Sequence, residues 1–447
     1  MTHSARTGSS LSAPALVAVV VTLTAPMFSA RPLPAQQVPA SRPAAARPAA
    51  TRLGFSVERL ARIDSALQRA VDRGEIAGAV ALVLRDGQPA YERAVGWADR
   101  EAGRRMTTDA IFRIASQTKA LTSVAIMALV EEGRISLSDP VARYIPAYQR
   151  TTVAQRSDTG RAIVPARRSI TIRDLLTHTA GISYGTDSLV APLYAARELG
   201  PAAGWGWYTA DKSEPICTTM ERLATLPFVA QPGQRFVYGY NTDILGCVVE
   251  RVAGVPLDEF IRRRITGPLR MKDTYFFLPS GGRDRLATVY ASVSDTVVTR
   301  APDGARGQGH YVDGPRTSFA GGAGLLSTAG DYARFLQMLL NGGVLDGARV
   351  LGPKTVALMT TNQTDTLFNA RGIGFGLGFE VIGRAGADGR IQSVGAYGWG
   401  GAYGSNYWVD PAERMVLVFM IQQLPNRSGL AGRFPMLVYQ ALVEPRE

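Results

Sequence analysis

Residues 112–133 read FRIASQTKALTSVAIMALVEEG, and this stretch decides how the rest of the chain is interpreted. After Ser116 the apolar residues recur at helical spacing until Gly133, which predicts one buried helix. Ser116 and Lys119 are three residues apart, so they lie on one face of that helix with Cβ atoms about 5–6 Å apart. A serine hydroxyl needs a base to become a nucleophile, and a lysine amine can lose its proton whereas an arginine cannot. The pair therefore suggests a nucleophile and its base, at a helix start whose N–H groups suit an oxyanion. The alternative for this spacing is a serine that caps the helix and a lysine exposed to solvent.

Almost all the basic residues are arginine, which makes this lysine a stronger signal. The 447 residues carry a net charge of +12, and of the 49 basic residues only those at 119, 212, 272 and 354 are lysine. The arginines are scattered and are not interleaved with aromatic residues, so no nucleic-acid partner is predicted. The overall composition, 46% hydrophobic and 19% charged, is that of a globular protein.

The first 52 residues are predicted to precede the folded part. Residues 1–35 have a positive start and an apolar run, 13–23, which suits an export signal and is too short to span a bilayer. Cleavage is expected after Ala30 or Ala35, and the Pro/Ala-rich residues 36–52 follow as a linker. We therefore predict an exported protein, periplasmic or secreted, with no stable membrane span after cleavage.

The cysteines and histidines exclude the common metal sites. Export would permit a disulfide between Cys217 and Cys247. Both lie in apolar, helix-like stretches, where buried thiols are the commoner outcome. His3, His178 and His310 are not spaced as zinc ligands. No metal and no cofactor is predicted.

The order of predicted elements indicates an α+β protein. A helix capped by Ser56 comes first, followed by a hairpin whose turn is Asp86-Gly87. Later helices are predicted at 170–178, 214–226, 242–253, 256–264, 331–341 and 429–443, and strands at 375–381, 394–399, 402–409 and 414–421, the last two joined by a turn at Asp410-Pro411. The economical architecture is a discontinuous α/β domain, 53–135 and 316–447, with a mainly helical domain, 136–315, inserted.

Two motifs that suggest other serine hydrolases are judged incidental. Residues 181–185 fit the G-x-S-x-G nucleophile elbow around Ser183, but that elbow needs a preceding strand, and here a helix precedes. The residues from 183 to 211 are predicted to form a long loop over a pocket. A Ser-His-Asp triad is not predicted, because His178 suits a structural role at a helix end and His310 lies in a Gly-rich loop.

Two further segments are candidates for the rest of a site. Residues 232–243 deliver an aromatic run to the start of a helix, and Tyr238 in this run is a candidate proton carrier. Residues 398–404 read GWGGAYG, and such glycines let the backbone approach a ligand closely. Ordinary packing and a simple turn are the alternatives for the two segments.

Together these segments resemble the serine β-lactamase-like hydrolases. The shared elements are the segment 112–119, the run LLTHTAG at 175–181, the segment 232–238, the WGG at 399–401 and the turn at 410–411, in the same order. The resemblance extends over nearly all of residues 55–445. It includes class C β-lactamases and D-alanyl-D-alanine carboxypeptidases, and it is strongest for family VIII carboxylesterases. It implies a β-lactamase/transpeptidase-like fold, with an antiparallel sheet flanked by helices and an inserted, mainly helical domain.

The resemblance also implies roles for individual residues. Ser116 becomes the acylated nucleophile, Lys119 its activating partner, and Tyr238 shares the proton transfer. The backbone N–H groups of Ser116 and Ala402 would form the oxyanion hole. The expected substrate-binding residues are Trp399, Gly400, Gly401, Tyr240 and Tyr184.

Two departures from the family pattern favour an esterase. The asparagine of the family's Y-x-N element is replaced by Tyr240, with Asn241 one residue late, and Trp399 stands where related enzymes have a lysine or histidine. We therefore expect an exported carboxylesterase acting on short- to medium-chain esters. One alternative is the same chemistry on other substrates, as a β-lactamase, a D-alanyl-D-alanine carboxypeptidase or a D-aminopeptidase. An arginine that reached the site, Arg235 or Arg316, would favour it by supplying the missing cation. The other alternative is a non-catalytic binding protein with this fold. The expected partner is a small ester or amide, and the sequence does not indicate an oligomeric state.

Overall fold

A computed structural model describes residues 51–158, 160–199, 211–369 and 371–446. The predicted export signal and the linker up to residue 50 lie outside the described residues, as do Trp205, Trp207 and Tyr208 of the predicted loop. Thr51 and Arg52 pair with Phe55–Ser56, so regular structure begins two residues before the predicted end of the linker. Among the described residues, no helix has the length and apolar character needed to cross a membrane.

The chain forms ten α-helices within the described ranges. They are α1 Val57–Asp72, α2 Thr118–Glu131, α3 Ile172–Leu176, α4 Ala191–Ala195, α5 Ile216–Ala224, α6 Asn241–Ala253, α7 Leu257–Ile261, α8 Ala329–Leu340, α9 Pro353–Met359 and α10 Leu430–Tyr439. A 3₁₀ turn, Ala115–Gln117, precedes α2, and a π-helical turn, Arg262–Thr266, follows α7.

Strands alternate with these helices mainly near the two ends of the chain. They are β1 Thr51–Arg52, β2 Phe55–Ser56, β3 Gly78–Arg85, β4 Gln88–Asp99, β5 Arg104–Arg105, β6 Phe112–Arg113, β7 Thr152–Ser157, β8 Gly160–Pro165, β9 Tyr290–Ser292, β10 Val298–Arg300, β11 Leu326–Ser327, β12 Val344–Leu345, β13 Ala348–Arg349, β14 Ile373–Phe375, β15 Glu380–Ile382, β16 Tyr397–Gly400, β17 Asn406–Asp410 and β18 Met415–Ile421.

One antiparallel sheet of eight strands joins both ends of the chain, in the order β14-β15-β16-β17-β18-β3-β4-β5. Strand β18 pairs with β3 along its whole length, from Met415 opposite Arg85 to Ile421 opposite Ala79. Alternate residues of these strands face opposite sides, so the sheet supports one core with α1 and α10 and another with α2 and α8. The predicted α+β class with an antiparallel sheet is confirmed, while the division into two domains stays a prediction.

The first helix and the first hairpin of the folded part are found where the cap, the apolar spacing and the turn residues predict them. The Ser56 side chain accepts a hydrogen bond from the Arg59 N–H (3.3 Å) and caps α1, and Leu60, Ile63 and Leu67 form its buried face. The Asp86-Gly87 turn joins β3 to β4, and Gly87 has φ +75°, a conformation that favours glycine. Helix α2 is buried on every side from Thr118 to Leu129, which is typical of a central core helix.

The sequence prediction was wrong in several places. The predicted strand 375–381 is the end of β14, a turn and the start of β15, because Gly378 adopts φ +102° within the continuous apolar run. The predicted strand 402–409 begins only at Asn406. The hairpin β7–β8 and the short helices α4 and α9 were not predicted.

The two cysteines form a disulfide, and this corrects the expectation of buried thiols. Cys217 on α5 and Cys247 on α6 are bonded through their sulfur atoms. Apolar surroundings favour a buried thiol and a buried disulfide alike, so composition did not decide between them. The bond ties together two helices of the middle of the chain.

Candidate active site

Ser116 lies in the 3₁₀ turn between β6 and α2. The short strand β6 pairs with β11, with Phe112 opposite Ser327, and this pairing fixes where the turn begins. Ala115 has φ +45°, a left-handed conformation that is costly for a residue other than glycine and that clusters at functional sites. Ser116 is only 6% exposed and Lys119 only 3%.

Three oxygen atoms surround the Lys119 Nζ. It lies 3.3 Å from the Ser116 Oγ, 2.9 Å from the Tyr184 OH and 2.7 Å from the Gly322 carbonyl oxygen. The serine and the lysine predicted from sequence are therefore in contact. Nζ can donate to all three oxygens, and after the loss of one proton its lone pair can accept from the serine hydroxyl.

Tyr238 stands beside this pair, with its hydroxyl bonded to Trp399 rather than to Lys119. The Lys119 Nζ lies 4.7 Å from the centre of the Tyr238 ring, a cation–π distance. The Tyr238 OH accepts a hydrogen bond from the Trp399 Nε1 (3.1 Å). Of the two tyrosine hydroxyls, that of Tyr184 is the one bonded to the lysine, a contact that no pattern in the sequence indicates.

The aromatic rings form a continuous wall beside Lys119. The centre of the Tyr184 ring is 5.7 Å from that of Tyr238 and 4.9 Å from that of Tyr240. Tyr240 is buried, and Gly239 between the two tyrosines allows the close approach of this segment, since a Cβ there would lie 2.2 Å from the Ile182 carbonyl oxygen. The predicted substrate-binding tyrosines are thus brought together.

A buried carboxyl group, which sequence reasoning did not select, supports the lysine through the backbone. The Asp243 Oδ1 accepts a hydrogen bond from the Gly322 N–H (2.9 Å), and the carbonyl oxygen of the same glycine accepts from Lys119. Burial raises the pKa of Asp243 to about 6, against the opposing attraction of the Lys119 charge. A Cβ at Gly322 would lie 2.5 Å from the Asp243 Oδ2, so glycine is required for this approach. The only sequence signal was an acidic residue in the first turn of α6.

His178 is packed beside the site, next to Asn241 and Tyr238. Its ring is buried, its Nδ1 is bonded to the Asn241 Nδ2 (2.9 Å), and its centre lies 4.8 Å from that of the Tyr238 ring. Burial, and secondarily the Lys119 charge, holds the pKa of His178 well below its usual range, so the ring is neutral at pH 7. Asn241 is fully buried beside it.

Strand β16 ends against the turn that carries the nucleophile. A Cβ at Gly401 would lie 2.6 Å from the Ile114 carbonyl oxygen, so only a glycine allows this approach. Ala402, in the turn that follows, packs against the apolar cluster that contains Ala115. Gly400 ends β16, and Trp399 precedes it with its ring 5.4 Å from that of Tyr238. The end of strand β16 and the turn after it therefore lie against the turn that carries Ser116.

Ser183 of the G-x-S-x-G motif and the two candidate arginines do not take part in this arrangement. Ser183 is buried and its Oγ accepts from the Gly185 N–H (3.1 Å), in a loop preceded by helix α3. The Arg235 guanidinium donates to the Val229 carbonyl, and that of Arg316 to the backbone carbonyls of residues 278 and 312. In the ranges that the structure describes, neither arginine bonds to a predicted site residue, and no group of three His, Cys, Asp or Glu residues is placed to hold a metal ion.

Comparison with known proteins places this geometry in a family. A family model described as beta-lactamase matches residues 63–438. The chain belongs to the beta-lactamase family. Among curated relatives of this beta-lactamase-family chain, Esterase EstB of Burkholderia gladioli is 33% identical over 367 residues, which cover 79% of the chain and 87% of EstB. A protein of Escherichia coli (strain K12) named "Putative D-alanyl-D-alanine carboxypeptidase" is 27% identical over 438 residues, which cover 88% of the chain and 91% of that protein.

A solved structure supports the same assignment. The structure of EstCE1, described as a hydrolase with promiscuous acyltransferase activity, matches with a TM-score of 0.73 at 28% identity and covers 87% of this chain and 99% of EstCE1. The β-lactamase/transpeptidase-like fold expected from the sequence is thereby confirmed. The protein is a serine hydrolase of the beta-lactamase family.

Proposed function

We propose that this beta-lactamase-family protein is a carboxylesterase that works through an acyl-enzyme on Ser116. In the proposed reaction the Ser116 Oγ attacks the ester carbonyl carbon while its proton passes to the Lys119 Nζ. The negative charge on the carbonyl oxygen is received by the backbone N–H groups of Ser116 and Ala402. The proton then leaves with the alcohol, and water releases the acid in a second step of the same kind.

The pairing of polar groups around Lys119 supports its role as the base. Two carbonyl or hydroxyl oxygens, those of Gly322 and Tyr184, lie within 2.9 Å of Nζ, and the Ser116 Oγ lies at 3.3 Å. As an ammonium, Nζ can donate to all three oxygens, and once it has lost a proton it can accept from the serine hydroxyl while still donating to Gly322 and Tyr184. We assign to Tyr238, whose ring borders Nζ, the transfer of the proton to the leaving group.

The hydrogen bond between Trp399 and Tyr238 is the observation that carries the choice of esters. β-Lactams and D-alanyl peptides have a carboxylate beside the scissile amide, and an enzyme that favours them needs a cation or strong donors where that group binds. Trp399 occupies the position where related enzymes have a cation, and its single N–H already donates to the Tyr238 OH. Arg235 and Arg316 donate to backbone carbonyls elsewhere. An uncharged ester therefore fits this site better.

Labelling with a fluorophosphonate tests the nucleophile. We expect one label per chain, found at Ser116 when the labelled protein is digested and its peptides are mapped. The Ser116→Ala variant should take up no label, and Ser183→Ala, the matched control, should be labelled at the wild-type rate. Label at Ser183, or none on folded wild-type protein, would overturn the assignment.

The choice of esters is tested by comparing two chromogenic substrates. We expect kcat/KM for p-nitrophenyl butyrate to exceed that for nitrocefin by at least about 100-fold, or roughly 2.7 kcal/mol of transition-state discrimination. Comparable values would mean that the site pairs a substrate carboxylate after all, and the protein would then be assigned to β-lactam or D-alanyl peptide hydrolysis. If protein that still labels at Ser116 hydrolyses neither substrate, the esterase function is contradicted, whereas the assignment of Ser116 as the nucleophile stands.

We also propose that the protein is exported. The sequence of residues 1–35 supports this, and so does the disulfide between Cys217 and Cys247, since disulfides persist in oxidising compartments. Fractionation of cells that express the full chain is expected to place mature protein, shortened at its N-terminus, outside the cytoplasm. Full-length protein in the cytoplasmic fraction would contradict export.

A further inference from the structure

A cavity of about 620 Å³, whose walls do not include Ser116, Lys119 or Tyr238, is rich in basic side chains. Its walls include Arg104, Arg113, Arg283 and Arg300, together with His310 and three carboxylates. None of the residues proposed above for catalysis lines it. Such a concentration of charge away from the reaction has no part in ester hydrolysis as proposed.

All three carboxylates of this cavity are paired with two of its arginines. Asp99 lies 3.0 Å from Arg300 and Asp303 lies 3.7 Å from it. Asp313 is paired with Arg283 at 3.1 Å. The three carboxylates of the cavity wall are therefore neutralised by Arg283 and Arg300.

The other two guanidinium groups form no ion pair within the described part of the chain. Arg104 donates from Nη2 to the Leu286 carbonyl oxygen (2.8 Å), and Arg113 donates from Nη1 to the carbonyl oxygen of the next residue, Ala287 (2.7 Å). The Arg113 Nε donates to the Gln308 carbonyl oxygen (2.7 Å). Backbone carbonyls orient these two groups, and the Arg113 guanidinium also lies 5.6 Å from the centre of the Tyr311 ring, but neither group has an anionic partner among the described residues.

Arg113 is the stronger indication of a ligand. The residue is only 3% exposed, and its Nη2 has no hydrogen-bond partner among the residues that the structure describes. Burial lowers the pKa of this guanidinium, but an arginine remains charged at neutral pH. A buried charge without a counter-ion is unfavourable, and an anion beside Nη2 would relieve that cost.

We propose that this cavity binds an organic anion whose carboxylate or phosphate head is held by Arg104 and Arg113. A guanidinium presents its N–H groups in a plane that matches two oxygen atoms of either head group. The cavity is much larger than a phosphate ion, so the ligand carries an organic body as well. This site is independent of the proposed esterase reaction, and its test does not require turnover.

Isothermal titration at constant ionic strength, with inorganic phosphate and with benzoate as probes, tests the proposal. The variant is Arg104→Gln, on an arginine that is half-buried at the cavity, and the matched control is Arg105→Gln. Arg105 is the next residue of the same strand, and its guanidinium is exposed and stacked on the Trp97 ring (3.8 Å). Each substitution removes one positive charge, and circular dichroism checks that both variants are folded.

We expect saturable one-to-one binding of at least one probe to the wild type and to Arg105→Gln, and at least tenfold weaker binding to Arg104→Gln. The probe that binds more tightly identifies the head group. Binding should be unchanged in Ser116→Ala. Equal binding to both arginine variants, loss of binding in Ser116→Ala, or no saturable binding of either probe to the wild type would overturn the proposal.

Discussion

At the scale of the residue, the environment of Lys119 connects every part of the site. Its three partners come from different segments, namely the turn before α2, the loop after α3 and the segment before β11. Gly322 is held in turn by Asp243, so the position of the amine depends on contacts distant in sequence. A small displacement of Nζ should therefore cost much of the activity.

Replacement of Lys119 by arginine is expected to inactivate the enzyme almost as fully as Ser116→Ala. The charge is kept, but a guanidinium cannot take the serine proton. Loss of a general base costs on the order of 10²–10⁴-fold, which steady-state rates on p-nitrophenyl acetate would measure. Ser183→Ala should keep most of the activity. Folded Lys119→Arg protein with near-wild-type turnover would refute the base role.

Phenylalanine substitutions separate the roles of the two tyrosines. Tyr238→Phe removes the proposed proton carrier and should lower kcat by on the order of 10²–10⁴-fold. Tyr184→Phe removes one acceptor of the lysine (2.9 Å) and is expected to have a smaller effect, because Gly322 still orients the amine. The comparison uses kcat on p-nitrophenyl acetate, with thermal unfolding as the folding control. A larger loss in Tyr184→Phe would transfer the proton-carrying role to Tyr184.

The sequence predicted the parts of the site that are close together in the chain. Ser116 and Lys119 are found in contact because their spacing on one helical turn fixes their distance. The contacts of Lys119 with Tyr184 and Gly322 could not be predicted, because they depend on how distant segments pack. The hydrogen bond from Trp399 to Tyr238 is of the same kind.

At the scale of the element, the disulfide holds α6 to α5. Helix α6 begins directly after the aromatic segment with Tyr238 and Tyr240, and it carries Asp243 in its first turn. The bond from Cys247 to Cys217 therefore fixes the helix that supports one side of the site. The sequence predicts both helices, but it does not decide whether their cysteines are bonded.

Removal of this disulfide should lower stability while leaving the catalytic groups in place. Closing a loop of 30 residues is expected to contribute about 3–4 kcal/mol. For a folded part of about 400 residues that corresponds to a fall in Tm of roughly 4–5 °C on adding dithiothreitol. The double variant Cys217→Ser, Cys247→Ser should unfold at the lower temperature and show no response to the reductant. Free thiols in the unreduced wild type would contradict the bond.

Element prediction succeeded where periodicity and turn residues agreed, and failed where glycine interrupted an apolar run. Helix α1 has a capping serine and a stripe of apolar residues at helical spacing, and the β3–β4 hairpin has a two-residue turn with glycine. In the run 373–382, the apolar residues continue through a turn, and only the positive φ of Gly378 separates β14 from β15. The backbone conformation of a glycine is set by its neighbours in space, which composition does not reveal.

At the scale of the whole molecule, folding buries charge that the unfolded chain exposes, and Asp243 is the clearest case. The pKa of its carboxyl group is raised from 3.8 to about 6 by burial, a cost that the nearby Lys119 charge only partly offsets. Between these two values the folded protein keeps a proton that the unfolded chain has lost. The contribution of Asp243 to the free energy of unfolding is therefore highest below about pH 4 and falls as the pH rises through 6.

The Asp243→Asn variant isolates this contribution. Its amide oxygen can still accept from the Gly322 N–H, but it does not titrate. We expect the free energy of unfolding of the wild type, minus that of the variant, to fall by on the order of 3 kcal/mol between pH 4 and pH 7, since one pKa unit corresponds to about 1.4 kcal/mol. Urea unfolding at several pH values would measure it, with Asp295→Asn, on an exposed side chain, as the control that shows no such change. A difference that stays constant or grows with pH would mean that Asp243 is ionised in the folded protein at every pH tested, and that the positive charge of Lys119 outweighs the cost of burial.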